Sequence, residues 1–524
     1  MSHASRENIV LIPRPEKIEW LGGHFQIDNE TSILFHPTSE ALKKIAQLLA
    51  AELGKSAPQS TNTEQTKNSI SLRQIDDTAL GTEGFRLNVS EHGIIIEANA
   101  PNGVFYGLQT LRQLLVEKEI PSVAIEDRPR FAFRGFMLDA GRHFYTVEQT
   151  KRIIDLISRY KYNRFHWHLT EDQGWRLEIK KHPRLTEIGA WRTGEGNDDY
   201  PAGTKLGGFY TQDDAREIVR YATERQIEVI PEIEMPGHSQ AVLAAYPELS
   251  CTGGPFAVSK RWGIHDDVYC AGNEKVYDLL RDVLDETLEI FPFRQIHIGG
   301  DECRKTRWQS CPKCQDRMKQ RGLADEKALQ SDFIKTMSAY LQERGREVIC
   351  WDEVLQDGLG QGFIVQEWRG HAPDGYAARA ARMHLQAIVS PRQHWYLNTP
   401  VVPNPTKRMH PNHHEDLKAS YDVDPIPTGL EPEFHKYIIG GEACLWTETI
   451  PPRRSDYFIF PRALAAAEVL WSPAQGKDFD EFAARVKKHY PRLEALGVQY
   501  GPGMAEEYEH RYDPGHDCYE LIPV

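Results

Sequence analysis

No apolar run in this 524-residue chain approaches the roughly 18 residues that would carry a helix across a bilayer. With a hydrophobic fraction of 40% the chain reads instead as a soluble globular protein, and no membrane partner is expected. The opening "MSHASRENIVLIPRPEKIEW" has no basic stretch followed by an apolar one. The expectation is cytoplasmic if the chain is complete, and periplasmic or secreted if a signal peptide has been removed. Positive charge is in deficit, 62 Lys and Arg against 76 Asp and Glu, giving −14 without any long acidic tract. A polyanionic partner is disfavoured, so no nucleic acid is expected, while neutral or cationic ligands stay open. Cysteine is sparse. Eight residues (251, 270, 303, 311, 314, 350, 444 and 518) do not make a disulfide scaffold at this length, and most read as free thiols. "CPKC" at Cys311 to Cys314 has zinc-ribbon spacing, but no second CxxC or His pair accompanies it. It reads as a local disulfide or a plain loop, and no metal is expected.

What the chain does have is alternation. Residues 1–126 mix β-rich pieces, such as "GFRLNVSEHGIIIEA" at 84 to 98, with helical patterns at 39 to 55 and 101 to 116, separated by the polar loop "SAPQSTNTEQTKN". This predicts a smaller α+β domain. The Pro-interrupted "IEDRPRFAFRG" marks the boundary, and residues 127–524 form the second domain, ending in a helix. There, eight short apolar runs start at residues 134, 164, 228, 295, 346, 362, 385 and 438, with amphipathic helices between most of them. Two helices open on Thr caps, "TVEQ" at 146 being a capping box and "TQDD" at 211 having an acidic first turn. Eight buried strands alternating with helices predict an α/β fold, a (β/α)8 TIM barrel. The fifth spacer, "VLQDGLGQ", is too short for a proper helix, so an irregularity is expected there.

In such barrels chemistry collects where strands end. Reading only those ends gives Asp139, Arg142, Glu171, Asp172, Glu232, Glu234, His238, Asp301, Glu302, Trp351 to Glu353, Glu367, Trp368, Tyr396, Trp446 and Glu448. Acids, one Arg and several indoles suit a sugar, whose CH faces pack on aromatic rings while its hydroxyls bond carboxylates. His166, His168 and His297 could imitate a metal site, but they read as interior histidines hydrogen-bonded inside the barrel. Crowded carboxylates on one rim should hold at least one acid protonated near neutrality. In "HIGGDEC", Asp301 and Glu302 are neighbours and so approach a sugar ring from one side. Two-carboxylate glycosidases instead flank the bond with their acid and nucleophile. If Glu302 protonates the leaving oxygen, the nucleophile must come from elsewhere, and a 2-acetamido group of the substrate could supply it.

The ordered set "RGFMLDAGRHF", "HWHLTEDQGW", "PEIEMPGH", "HIGGDE", "WDEVL", "EWRG" and "GGEACLWTE" resembles the glycoside hydrolase family 20 β-N-acetylhexosaminidases over nearly the whole chain. The resemblance implies an exo-acting, retaining, substrate-assisted hydrolase of terminal β-linked GlcNAc or GalNAc, without metal or organic cofactor. Its substrate would be a small carbohydrate or a glycan, and its state a monomer or homodimer. By the same resemblance Glu302 is the general acid/base, Asp301 orients the acetamido group and Tyr396 bonds its oxygen. Arg142 and Glu448 hold the sugar's outer hydroxyls, Trp351, Trp368 and Trp446 are walls, and His238 pairs with the acid of "TEDQ". Two positions depart from the family pattern: Glu171 stands where Asp is common, and Asn398 replaces an Asp two residues after Tyr396. Alternatives within the resemblance are a lacto-N-biosidase, a sulfated-GlcNAc exo-hydrolase, or an inactive carbohydrate-binding relative.

Overall fold

A computed structural model describes residues 10–36, 39–61, 67–194, 200–357, 362–401, 415–503, 508–513 and 518–523. The N-terminal part folds into a seven-stranded mixed sheet. The β-rich piece at 84 to 98 is a hairpin, Phe85–Ser90 against Gly93–Ala98, its alternating apolar residues turned to the core. Helices Glu40–Glu52 and Pro101–Leu114 pack on the sheet. The polar segment between residues 56 and 68 contributes a short edge strand, Gln59–Ser60; its residues 62–66 lie outside the described residues.

The second part is a closed eight-stranded barrel. Its strands are Phe133–Asp139, Arg164–His168, Glu228–Glu232, Gln295–His297, Glu347–Trp351, Phe363–Glu367, Gln386–Val389 and Ile438–Leu445. All eight expected runs are strands. Each is almost wholly buried because helices cover the outside and side chains fill the inside. Helix Val147–Arg159 starts with the expected reciprocal cap between Thr146 and Gln149, and Gln212–Thr223 with one between Thr211 and Asp214. Each cap satisfies backbone donors that the first turn leaves open, a contribution of about 1 kcal/mol. The short fifth spacer is a single 3-10 stretch from Asp352 to Asp357, its later part lying outside the described residues.

Three features differ from the sequence reading. The fourth strand ends at His297, so Asp301 and Glu302 stand beyond it in a loop. Glycines 299 and 300 have φ of +67° and +102°, which strand geometry forbids, and the chain leaves the sheet there. After the expected terminal helix, Phe479–Ala495, a strand pair follows, Tyr508–Asp513 with Cys518–Pro523. The two domains also share a core: Trp471, at the end of helix Arg462–Trp471, packs into the N-terminal domain's apolar cluster. Its indole Nε1 donates to Asp127 Oδ2 at 2.9 Å, and Lys161 Nζ reaches the same oxygen at 2.9 Å. Arg134 on the first barrel strand meets Glu83 at 2.9 Å. Among the described residues no helix is long and apolar enough to cross a membrane.

Candidate active site

The first four strands are in register at their carboxyl ends, where Asp139 pairs with His168, His168 with Glu232 and Glu232 with His297. Four polar residues thus form one layer inside the barrel. Glu232 is its centre. It accepts from His168 Nδ1 and from Trp351 Nε1 (2.8 Å), and it lies within 3.0 Å of His166 Nε2 and 2.7 Å of His297 Nδ1. Burial alone would raise its pKa, but the three imidazoles overcome that and hold it well below the carboxylate range. Burial opposes charge on the histidines too, yet Glu442 and Glu232 push His166 up to about 9, and Glu232 and Glu171 push His168 up to about 10. The ligand atoms of His166, Glu232 and His297 are close enough together for a cation. The trio is bonded to neighbouring side chains inside the barrel, the hydrogen-bonded core that the sequence reading expected.

Above this layer opens a pocket of about 590 Å³, lined by Arg142, Asp301, Glu302, Trp351, Trp368, Arg392, Tyr396, Asn398, Trp446 and Glu448. Nine of these ten were candidates from sequence. The aromatic walls contact one another: the Trp351 and Trp446 ring centroids are 5.7 Å apart, those of Tyr396 and Trp446 5.8 Å, and Trp368 stacks on Tyr396 at 6.3 Å with 9° between planes. Tyr396 is placed by a bridge that extends the eighth strand's ladder, Tyr396 beside Cys444, with Leu397 N donating to Cys444 O at 2.9 Å. Arg142 lies over the Trp446 ring at 5.0 Å and is held by Asp139 (3.3 Å) and Glu171 (3.0 Å). Glu448 is half-buried beside Arg142; desolvation raises its pKa more than the guanidinium lowers it.

Glu171 and His238 stand behind the pocket rather than on its lining. His238 Nδ1 is 2.8 Å from Glu171 Oε1 and 3.4 Å from Asp172 Oδ2, while its Nε2 faces Asp301 Oδ2 at 3.3 Å and Glu302 Oε2 at 3.7 Å. Burial would favour neutral imidazole, but Glu171 and Asp301 hold the His238 pKa well above its ordinary value. Glu171 itself is kept well below the ordinary range: burial opposes this, and Arg142 and His238 prevail. Asp172 accepts from Gln240 N at 2.9 Å and so ties this segment to the loop after the third strand.

The glycines of "HIGGDE" now have a reason. A Cβ on Gly299 would fall 1.7 Å from Glu234 Oε2, so Glu234 packs directly under the Asp301 and Glu302 loop. Burial and Asp301 raise the Glu234 pKa well above 4.5. Glu302 has φ of +46°, which frees it from the strand rule that sends neighbours to opposite faces, and both acids reach the same pocket. Burial, then Asp301, raises the Glu302 pKa. Burial, then Asp301 and Asp352, pushes Glu353 up to about 8, with its Oε2 accepting from Trp368 Nε1 at 3.0 Å. Burial and mutual repulsion thus raise the pKa of several rim acids, the direction that its crowding predicted. Asp301 Oδ1, Asn398 Oδ1 and Trp446 Nε1 are buried without a protein partner and are available to a ligand.

Arg392 is the lining residue that sequence reasoning missed. It begins the short helical turn Arg392–Trp395 after the seventh strand, one turn ahead of Tyr396. The i, i+4 spacing from Tyr396 was the signal that could have found it.

Comparison with known proteins gives the family. Residues 131–474 match the glycosyl hydrolase family 20 catalytic domain, and residues 8–128 match that family's domain 2. A β-hexosaminidase of Porphyromonas gingivalis is 42% identical over an alignment of 523 positions that covers 96% of this chain; the chain spans 65% of that relative's length. The crystal structure of β-N-acetylhexosaminidase from Bacteroides fragilis superposes with a TM-score of 0.85 at 35% identity, covering 95% of this chain and 98% of that one. A Vibrio harveyi exo β-N-acetylglucosaminidase solved with N-acetylglucosamine gives 0.84 at 32% identity, covering 95% and 79%. From its first sheet to the helix that closes the barrel, the chain belongs to glycosyl hydrolase family 20.

Proposed function

We propose that the protein is an exo-β-N-acetylhexosaminidase that releases terminal, non-reducing β-linked GlcNAc or GalNAc with retention of configuration. The observation that carries this is the placement of the acids. Asp301 and Glu302 enter the pocket from one loop, and Glu448, the third carboxyl of the described lining, is beside Arg142. The attacking atom is then the substrate's own acetamido oxygen. As it bonds to the anomeric carbon, the bond to the leaving oxygen breaks and Glu302 supplies the proton that oxygen needs. Asp301 accepts the acetamido N–H and stabilises the charge growing on it, giving an oxazolinium. Water then adds to the anomeric carbon, losing a proton to Glu302 and reopening the ring. Holding the nucleophile within the substrate gains effective molarity, and an aligned carboxylate stabilises developing charge in a water-poor pocket.

Tyr396 bonds the acetamido oxygen, and Trp351, Trp368 and Trp446 enclose its methyl group and the ring. Arg142 and Glu448 close the end that blocks longer non-reducing extensions, which makes the enzyme exo-acting. His238, protonated between Glu171 and Asp301, is a positioning residue behind the acids. The test is hydrolysis of an aryl β-N-acetylglucosaminide alongside the matching aryl β-glucoside. The first should turn over and be inhibited by a thiazoline analogue of the intermediate, while equal rates on both would overturn the substrate-assisted mechanism.

A second reading rests on Arg392. Its exposed position on the pocket lining suits an anionic substituent on the sugar. Preference for 6-sulfo-GlcNAc over GlcNAc in the same assay, lost in Arg392→Ala, would select it.

A further inference from the structure

The fold supplies what "CPKC" lacked in sequence. Cys251 and Cys270 come from the long loop after the third strand, Cys311 and Cys314 from the segment after the fourth, and one sulfur of each lies within 4.8 Å of the other three. The sulfurs of Cys251 and Cys314 are 3.8 Å apart, those of Cys270 and Cys311 3.7 Å, and those of Cys270 and Cys314 3.7 Å. Four thiolates on one tetrahedral zinc at about 2.3 Å must stand about 3.8 Å from each other, since the edge of a tetrahedron is about 1.6 times its centre-to-corner length. These three separations match such edges. A disulfide needs about 2.05 Å and one exclusive partner, whereas Cys270 is equally far from two others.

The backbone around the sulfurs is organised for the same purpose. Ser250 and Tyr269 form an antiparallel bridge, and Cys270 N donates to Leu249 O at 2.9 Å, which brings the first two cysteines side by side. The other two bracket Pro312 at the start of helix Pro312–Arg321, whose positive end favours thiolates. A Cβ at Gly272 would lie 2.1 Å from the Lys313 carbonyl carbon and 2.4 Å from Cys314 N, so the two knuckles press together at a residue without a side chain. Cys270, Cys311 and Cys314 are buried and Cys251 is partly so, a closed set with no open coordination position for substrate.

We propose that Cys251, Cys270, Cys311 and Cys314 bind one structural zinc ion. The site lies outside the pocket and clamps together two loops, one that runs behind the pocket and one that leads from its acids. One of these, residues 252–269, covers the Glu171 and Asp172 segment through Ser259 N to Asp172 O at 2.9 Å. The other runs from Glu302 to Cys311. Arg307 with Asp267 (2.8 Å), Thr306 Oγ1 with Asp266 Oδ1 (3.2 Å) and Trp308 Nε1 with Tyr269 O (2.9 Å) also tie them together. The ion would fix the loop that carries the proposed acid without touching substrate.

The test reads metal rather than turnover, so it stands or falls separately from the proposed activity. Full-length protein, expressed with zinc in the medium and desalted, should carry one zinc per chain by elemental analysis. Its native mass should exceed the chain mass by one zinc less the protons displaced. A mercurial titrating thiols should release that zinc in step. Cys311→Ser/Cys314→Ser should fall to less than a tenth of the wild-type content. If that variant does not fold, cobalt exchange into the wild-type protein serves instead, giving the visible spectrum of a four-thiolate tetrahedral site. Metal-free native protein with these four thiols alkylated freely, disulfides among them in peptide maps, or iron in place of zinc would each overturn the assignment.

Discussion

His238 Nε2 faces Asp301 Oδ2 across 3.3 Å, while its other ring nitrogen is bonded to Glu171. A buried cation therefore stands directly behind the acid proposed to orient the acetamido group. Next to that acid, Glu302 has its pKa raised by burial and then by Asp301. His238→Gln keeps a hydrogen-bonding group but removes the charge. Turnover of an aryl N-acetylglucosaminide should fall by roughly 10²-fold with KM changed much less, and the pH profile should shift. An unmoved pH profile would show that His238 only fills space.

The two loop acids should respond differently. Glu302→Gln should lower kcat by about 10²- to 10⁴-fold on substrates with poor leaving groups, and less where the aglycone leaves without a proton. Asp301→Asn should lower it by about 10²- to 10³-fold whatever the leaving group, because its task is on the sugar side. A panel of aryl glycosides of graded leaving-group pKa separates the two.

Glu171 joins Arg142 and His238, both buried. Glu171→Gln leaves two interior cations without their shared anion, at a cost of roughly 3–5 kcal/mol. Chemical denaturation should report that loss, and KM should rise because Arg142 is no longer fixed over Trp446.

Asn398 offers a buried Oδ1 without a protein partner. Asn398→Asp replaces a neutral acceptor with a charged one, a difference of about 1–2 kcal/mol for a sugar hydroxyl. The ratio of kcat/KM for GlcNAc over GalNAc should change by about tenfold. An unchanged ratio would remove Asn398 from the determinants of epimer preference.

Stability should have a pH plateau set by the inner layer. Glu232 is depressed, so its contribution is present above the unfolded value near 4.3 and is lost as pH falls through its lower folded value. His166 and His168 are raised to about 9 and about 10, so theirs is complete below about 6.5 and is lost as pH rises from there through those folded values. Melting temperatures across pH should decline on the alkaline side between those limits, and His166→Gln should flatten that decline.

Much of this was legible in the chain because its determinants are local. A barrel strand is a run of buried residues, so Phe133–Asp139 or Glu347–Trp351 could be read from a few positions, and function follows from where the run stops. Asp301 and Glu302 declared themselves by adjacency. What escaped is what only folding assembles. Cys251 lies 63 positions from Cys314, a pairing that the loop lengths of this particular barrel decide. Arg392 reaches the pocket because a short helical turn, not the strand, carries it there. The exit of the fourth strand at His297 came earlier than its apolar pattern suggested. Gly299 must yield to Glu234, a contact between loops that no window of sequence contains.

Trp471 belongs to the last barrel helix, yet it sits in the core of the first domain, and its indole shares the Asp127 carboxylate with Lys161. The two domains, matched as separate parts of one family, are thus packed as one body at their junction. Cutting the chain near residue 130 would not yield two independent pieces. It would expose a large aromatic face on one fragment and leave the Oδ2 of a buried acid on the other without its two donors. The boundary seen in sequence marks a change of architecture, not a hinge.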